Sequence, residues 1–534
     1  MNKFANTLIL FTTLACQALS CNGQGMVHSF DAIIPSANLT WTQCFDDFTC
    51  AKLQVPLDYS NKSTGTTSIA FIKLAGKNAT ASSQSIVAIP GGPGGSGIDL
   101  LLGLRHTVGQ MLGEQYNYVS FDPRGVNNSG PKLDCFSGDA EARATFKRLH
   151  YSGVTNTSSS SLQEQYYSSS IYGERCNEAV ENNSPHGYYV TTPAVAHDLL
   201  TFVQAEAELA GKPTQDAKLW SCGGSYGTVI GTTFATMFPD RIGRMILDGV
   251  MDADQYYDNT WWDNIDQADE TMQRFSASCH AAGPDACTFW GPTAADITTR
   301  LDAIIHRLQD HPVPIGRAGG AGLPSIVNVT YSDLKALLMQ TVYSPLQSFP
   351  VLADVLHEVE RGNLSALVGM FDDYISFTND AGRVIRCADS HRRNRLATIE
   401  GFKDYANHLV SQSKYIGDIF AIYVDTILCR SMQPRLPDSM VIQGPIKLDK
   451  PTSFPILFTS NVVDGLSPLK SARKVSSRFP GSVLLLQEAV GHVVLEQGGS
   501  NCYFGHVQAY LQGVVPPSNV TCPQQYVPFV GGLV

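Results

Sequence analysis

From Leu219 to Gly227 the chain passes from an apolar stretch into the pattern G-x-S-x-G, with Ser225 at its centre, and on into a helix-like stretch. A strand that turns at once into a helix leaves a serine on a sharp, strained turn with its hydroxyl exposed, the geometry called a nucleophile elbow. Strand and helix nearly touch there, so the residues two before and two after the serine must be small. Gly223 and Gly227 meet that demand. Upstream, Ala217 to Trp220 reads as a short buried strand. Downstream, Thr228 to Phe238 is rich in Ala, Thr, Ile and Phe, as a packed helix is. The competing reading is a glycine-rich loop with an exposed serine.

The rest of the chain is organised to match. Strand-like runs recur at Ser68–Leu74, Ser85–Ile89, Tyr118–Phe121, Leu219–Ser221, Arg244–Leu247, Ile456–Thr459 and Val483–Leu486. Helical patterns such as Val195 to Ala210 fall between most of them. Strands alternating with helices predict a mostly parallel central sheet with right-handed crossovers. The alternation stops between Met251 and Leu448, where helical patterns dominate. The predicted fold class is α/β: an α/β-hydrolase fold with a large, mainly helical lid inserted after the sixth strand. The predicted boundaries are a signal peptide over 1–20, the first part of the core over 21–250, the lid over 251–450 and the second part of the core over 451–534. No internal repeat is present, and the Ser/Thr-rich stretch Thr155 to Leu162 reads as a surface loop.

Composition narrows the function. The 534 residues are 43% hydrophobic and 16% charged, which is ample for a large core. A net charge of −11 argues against a phosphate-binding surface, and no basic cluster or zinc-finger spacing points to nucleic acid. Lys3, the apolar Leu8 to Leu19 and the small-residue site Ala18-Leu19-Ser20 read as a secretory signal. The apolar stretch is too short for a membrane anchor, and no other segment is long enough. Thirteen cysteines fit an exported chain. Cys16 and Cys21 lie near the cleavage site and Cys222 beside the elbow. The other ten are read as Cys44 with Cys50, Cys135 with Cys176, Cys279 with Cys287, Cys387 with Cys429 and Cys502 with Cys522, although spacing alone leaves connectivity open. No pair has C-x-x-C spacing, so no metal site and no cofactor is expected. Nine N-x-S/T sequons, at Asn38, Asn61, Asn78, Asn127, Asn156, Asn182, Asn328, Asn363 and Asn519, predict glycans. Asn127 is the exception, because it adjoins a motif expected to be buried.

A serine hydroxyl needs a histidine to take its proton and a carboxylate to orient that histidine. In this fold the chain order is serine, acid, histidine. Ile456 to Ser460 reads as a buried strand leading into Asp464, whose D-G-x-S-P turn selects it as the acid. Asp248, past another strand, is the rival and otherwise a structural carboxylate. Leu484 to Leu486 reads as a strand followed by a loop, and His492 in that loop is the predicted base. His506 sits in a helical run and reads as structural. The oxyanion requires two backbone donors. Tyr226, after the nucleophile, supplies one. The other comes from the loop Pro90 to Gly97, read G-G-P-G-G-S-G from Gly91.

These motifs, with Asp122-Pro123-Arg124-Gly125, the opening Cys44 to Tyr59 and the tail from Cys502 through Tyr510-Leu511-Gln512-Gly513 to Cys522, resemble the secreted tripeptidyl-aminopeptidase branch of the prolyl-aminopeptidase family of serine peptidases. The resemblance covers most of the mature chain. It implies Ser225 as nucleophile, Asp464 as acid, His492 as base and Gly92 as the second oxyanion donor. It also implies a structural Asp122 to Gly125 turn, with Arg124 braced by carboxylates. There are departures. Pro90 stands where the prolyl-specific enzymes carry His, Asn127 where Gly is usual, and Val493 where Gly often follows the catalytic histidine.

The leading expectation is a secreted serine exopeptidase acting on peptide N-termini. The alternatives are a hydrolase of small-molecule esters or amides using the same triad, and a silent binding protein on the same scaffold. The triad positions are all filled, which argues against the last. An exopeptidase must hold a free ammonium. Glu358, Glu360, Asp372 and Asp373 in the lid are candidates, with solvated helix faces as their competing reading.

Overall fold

The computed structural model describes residues 26–315, 327–376, 379–393 and 396–530. The predicted signal peptide lies outside these residues. The described strands are β1 (Thr42–Cys44), β2 (Phe48–Pro56), β3 (Thr66–Ala75), β4 (Ser85–Ile89), β5 (Asn117–Phe121), β6 (Leu219–Gly224), β7 (Ile242–Asp248), β8 (Val313–Ile315), β9 (Val327–Val329), β10 (Leu457–Val463), β11 (Val483–Val490) and β12 (Thr521–Cys522). Ten of them form one sheet in the order β1-β2-β3-β5-β4-β6-β7-β10-β11-β12. From β5 to β12 all pairs are parallel; β1, β2 and β3 join antiparallel at one edge.

The parallel strands are apolar on both faces because helices cover both. Alternation along each strand separates two cores. Ile86, Tyr118, Ile246 and Leu457 face one way, onto the helices Gly97–Gly103 and Asn501–Leu511. Val87, Val119, Leu247 and Phe458 face the other way, towards the helices Thr192–Leu209 and Tyr226–Met237. Each fully buried Leu or Ile contributes about 1.5–3 kcal/mol.

The insertion follows β7, the seventh described strand in chain order; two strands, β1 and β2, precede the first predicted run, which is β3. It is mainly helical and includes one small hairpin, β8–β9. Its helices form for local reasons. In Ala294–Asp310 the buried Ile297, Leu301, Ile304 and Leu308 recur every three or four residues, and the Thr293 side chain caps the start by accepting from Asp296 N. A capping box of Thr330 and Asp333 opens the helix Tyr331–Tyr343. The core of the insertion is continuous with one face of the sheet.

Part of the helical cover comes from before residue 251. The helices Ala140–His150 and Ser161–Asn182 pack together. Arg143 and Tyr172 donate to Asp380 at 2.9 and 2.8 Å, and His150 Nε2 lies 3.0 Å from Asp425. Five disulfides join the ten paired cysteines, and Cys222 is a buried free thiol. All nine sequon asparagines are exposed. That includes Asn127, although the neighbouring Asp122, Pro123 and Arg124 are buried as expected; its backbone has φ of 37°. Among the described residues no helix is long and apolar enough to cross a membrane.

Candidate active site

Ser225 joins β6 to the helix Tyr226–Met237 with φ 55° and ψ −124°. A non-glycine residue in this region carries strain of about 1–3 kcal/mol, so the surroundings must hold it. They do so on three sides. Ser225 N donates to Asp248 O at 3.0 Å, and Thr228 N donates to Ser225 O at 2.9 Å. A methyl group on Gly223 would come 2.8 Å from Gly227 O, and one on Gly227 would come 2.6 Å from Ile89 O. The small residues read from the sequence are therefore required by contact between strand, helix and β4. The loop after β4 comes equally close: a methyl on Gly91 would lie 3.3 Å from Ser225 Cβ. Gly92 has φ of 116°, a conformation that glycine adopts readily. Tyr226, the first residue of the helix, is buried, and its hydroxyl pairs with Thr192 Oγ1 at 2.7 Å.

Asp464 follows β10 directly and is fully buried. Its carboxylate shapes the turn after it by accepting from Leu466 N at 2.9 Å, Ser467 N at 2.8 Å and Ser467 Oγ at 2.8 Å. His492 follows β11 and turns Nδ1 to Asp464, 3.1 Å from Oδ2 and 3.2 Å from Oδ1. Ser467 Oγ also lies 3.0 Å from Nδ1. The other side of the histidine is held by the insertion. His492 N donates to Tyr343 O at 3.1 Å, and the Tyr343 ring stands edge-on at 4.9 Å. Burial by itself raises the Asp464 carboxyl, but the neighbouring His492 and the turn amides outweigh it and hold the group below its usual range. Burial lowers the His492 imidazole, and the charge of Asp464 reverses that and raises it.

With Nδ1 on Asp464, Nε2 is the ring nitrogen left for Ser225. No hydrogen bond joins His492 to Ser225 Oγ among the described residues; such contacts are often long before substrate binds. The two loops do meet, since a methyl on Gly224 would lie 3.5 Å from Val493 Cγ1.

Asp248 ends β7 and accepts from Val494 N at 3.1 Å and Leu495 N at 3.0 Å. It therefore grips the loop that carries His492 and makes no hydrogen bond to the imidazole. Burial raises its carboxyl. Arg124 is braced by one carboxylate, Asp198, at 2.7 and 2.8 Å, and by the carbonyls of Pro56 and Leu57, each at 2.7 Å. Asp122 is spent elsewhere, on Ser96 at 2.6 Å and on Asn128. His506 approaches Cys502 and Cys522, but both sulfurs are tied in a disulfide and offer no thiolate.

The chain matches the family described as the alpha/beta hydrolase fold over residues 84–303 and that described as TAP-like protein over residues 428–522. This chain is an α/β-hydrolase with a TAP-like carboxy-terminal segment. The two matches cover the elbow and the Asp464–His492 segment. The hydrolase is 28% identical over 550 residues to "Serine protease Hip1" of Mycobacterium tuberculosis, covering 98% of each chain. It is 25% identical over 513 residues to "Tripeptidyl aminopeptidase" of Streptomyces lividans, covering 92% of this chain and 88% of that one. It is 21% identical over 503 residues to "Carboxylesterase B" of Mycobacterium tuberculosis, covering 89% and 86%. It is a serine hydrolase.

Beside Gly92 and Pro93 the hydrolase has a cavity of about 190 Å³, walled by Trp261, Tyr374, Arg386 and Tyr423 among others. None of the lid carboxylates singled out from the sequence lines it. Glu360 pairs with Arg300, Glu358 accepts from Asn363 at 2.9 Å, and Asp372 and Asp373 are exposed on the helix Met370–Ser376. The carboxylate that sequence reasoning missed is Glu496. It is exposed, lies four residues past His492, and acts electrostatically on His492, Tyr343 and Tyr423. Its nearness in sequence to the predicted base was the available signal.

Proposed function

We propose that the protein is a secreted serine exopeptidase that releases residues from peptide N-termini through an acyl-enzyme on Ser225. His492 Nε2 takes the Ser225 proton as Oγ attacks the scissile carbonyl, and Asp464 holds Nδ1–H and stabilises the imidazolium. The amides of Gly92 and Tyr226 receive the oxyanion. The imidazolium then protonates the leaving amine, and water, activated by the same histidine, frees the acyl product. The observation that carries this reading is a strained Ser225 set between a glycine loop and the buried Asp464–His492 pair, all beneath a helical cover.

Two things support exopeptidase over endopeptidase activity. A small cavity beneath a helical cover suits a short peptide end better than a chain running through in both directions. The Streptomyces lividans relative carries the name tripeptidyl aminopeptidase. Glu496 is the proposed partner of the substrate ammonium. Export is supported by the five disulfides and the nine exposed sequons. Mass spectrometry of the secreted protein is expected to find N-glycans and a chain beginning near Cys21. A second reading, hydrolysis of small esters or amides, is favoured by the likeness to Carboxylesterase B.

The deciding experiment compares matched peptides with free and acetylated N-termini. Acetylation removes the ammonium charge, so kcat/KM is expected to fall at least about 10²-fold, and Glu496→Gln to shrink that difference. Equal rates on free and blocked peptides would overturn the exopeptidase reading. Faster turnover of esters without an amine would favour the second.

A further inference from the structure

Three residues that line the cavity beside Gly92 carry hydrogen-bond donors left without a partner among the described residues. Trp261 Nε1, Arg386 Nε and the Tyr374 hydroxyl are buried, and none has a partner among the described residues. Arg386 is 8% exposed. Its side chain makes no hydrogen bond or ion pair to any described residue; its nearest aromatic neighbour is the Trp261 ring, 5.5 Å from the guanidinium carbon. Buried polar groups are nearly always paired, so three unpaired donors around one cavity call for an acceptor from outside.

The charges around Arg386 sharpen the point. Arg383, one turn earlier, interacts with Tyr151 and lies 3.8 Å from Asp425. Asp425 also takes His150 at 3.0 Å and the Tyr151 hydroxyl at 2.5 Å. Asp425 is thus held by three other groups, and the wall keeps one surplus positive charge in a chain whose net charge is −11.

Arg386 is also held in place relative to the reacting centre. Its helix, Asp380–Asp389, begins against the glycine loop. Asn379 caps it by accepting from Gly382 N at 2.8 Å and donates to Gly94 O at 3.3 Å. A methyl on Gly382 would overlap Pro93 O. The disulfide Cys387–Cys429 and the bonds from Thr192 N and Tyr256 to Asp389, each 2.7 Å, hold the other end. The cavity therefore sits at a set distance from Gly92, the proposed oxyanion donor.

We infer that this cavity takes a carboxylate of the substrate close to the scissile carbonyl, with Arg386 as its counter-charge and Trp261 and Tyr374 as further donors. A carboxylate accepts several hydrogen bonds at once and matches a guanidinium in charge and shape. The inference rests on the peptidase reading above. The carboxylate has two sources: an acidic side chain at the residue that supplies the scissile carbonyl, or the free C-terminus of a one-residue leaving group.

Two substrate pairs with free N-termini test it. The first pair carries Asp or Asn before a fluorogenic anilide. The second ends in a single leaving residue with a free carboxylate or a carboxamide. The unmodified enzyme is expected to prefer the charged member by at least about tenfold in kcat/KM in one pair, and which pair it is names the source. Arg386→Gln is expected to bring that ratio close to one, and Arg386→Lys to keep part of it. No preference in either pair overturns the inference, and that measurement needs no variant. An equal loss for both members in Arg386→Gln also overturns it, because a merely structural arginine would act in that way. If the enzyme cleaves none of the peptides but hydrolyses p-nitrophenyl esters, the exopeptidase reading fails instead. The ratio for the hemisuccinate over the butyrate ester then decides the carboxylate inference by the same criterion.

Discussion

The carboxylate of Asp464, at the end of a sheet strand, receives donors from Leu466, Ser467, Val493 and His492. The guanidinium of Arg386, within the insertion and also buried, has no acceptor among the described residues. A buried charge left without its partner destabilises a fold by several kcal/mol, so the two regions have been solved differently. In the sheet half, the groups proposed for chemistry are oriented in advance, which leaves little to reorganise when the transition state forms. In the helical half, hydrogen-bonding capacity is left open for whatever enters. On the proposed function, chemistry belongs to the sheet scaffold and selection to the inserted layer, whose unpaired polar groups would meet the substrate.

The largest expected effect tests the sheet half. Ser225→Ala is expected to lower kcat at least about 10⁴-fold and to abolish fluorophosphonate labelling, because removing the nucleophile disables the whole relay. Its melting temperature should stay close to that of the parent, since the strained turn is held by backbone contacts. Retained activity would remove the basis for treating the elbow as the chemical half.

The next test separates two aspartates that end neighbouring strands. Asp464→Asn is expected to lower kcat about 10³-fold or more, as loss of the orienting acid does. The charge of Asp464 raises the His492 imidazole, and the base works only when neutral. The acid limb of kcat/KM should therefore lie above the ordinary imidazole value of about 6.5 in the parent and move down in the variant. Asp248→Asn should act mainly on stability, by about 1–3 kcal/mol, because it leaves the amide of Val494 or Leu495 without its acceptor. The reverse pattern would move the acid to β7.

The smallest effect concerns a third buried acid. Asp389 accepts from Thr192 and Tyr256 but pairs with no cation among the described residues, and burial pushes its carboxyl up to about 7. In the unfolded chain it titrates near the ordinary value, so between the two values the folded state binds more protons. Its contribution to stability is full below pH 4 or so and is lost as pH rises to about 7. Melting curves from pH 4 to pH 8 should show Asp389→Asn losing less stability over that range than the parent. A parallel slope in both would show that Asp389 is already ionised in the fold.

The local rules in the sequence reached a definite set of features. Glycines at 223 and 227, apolar runs of strand length and an aspartate or histidine just past a strand are signals carried by a few neighbouring residues, and the elbow and the strands on which these residues stand appear where those signals lie. Other features depend on residues far apart in the chain. The antiparallel strand β2, between β1 and β3, was missed because its exposed and half-buried positions, including Lys52 and Gln54, break the apolar run. Asp198 as the partner of Arg124, the Tyr343 carbonyl on His492, and the cavity drawn from Gly92, Trp261, Tyr374, Arg386 and Tyr423 come from segments that only packing brings together. The lid carboxylates could not be sorted from sequence, because a helix face looks the same whether it meets solvent, Arg300 or a substrate. Backbone conformation follows local sterics and hydrogen bonding, which neighbouring residues encode. The meeting of side chains across the molecule follows from how the layers pack, and that is decided only once the tertiary structure has formed.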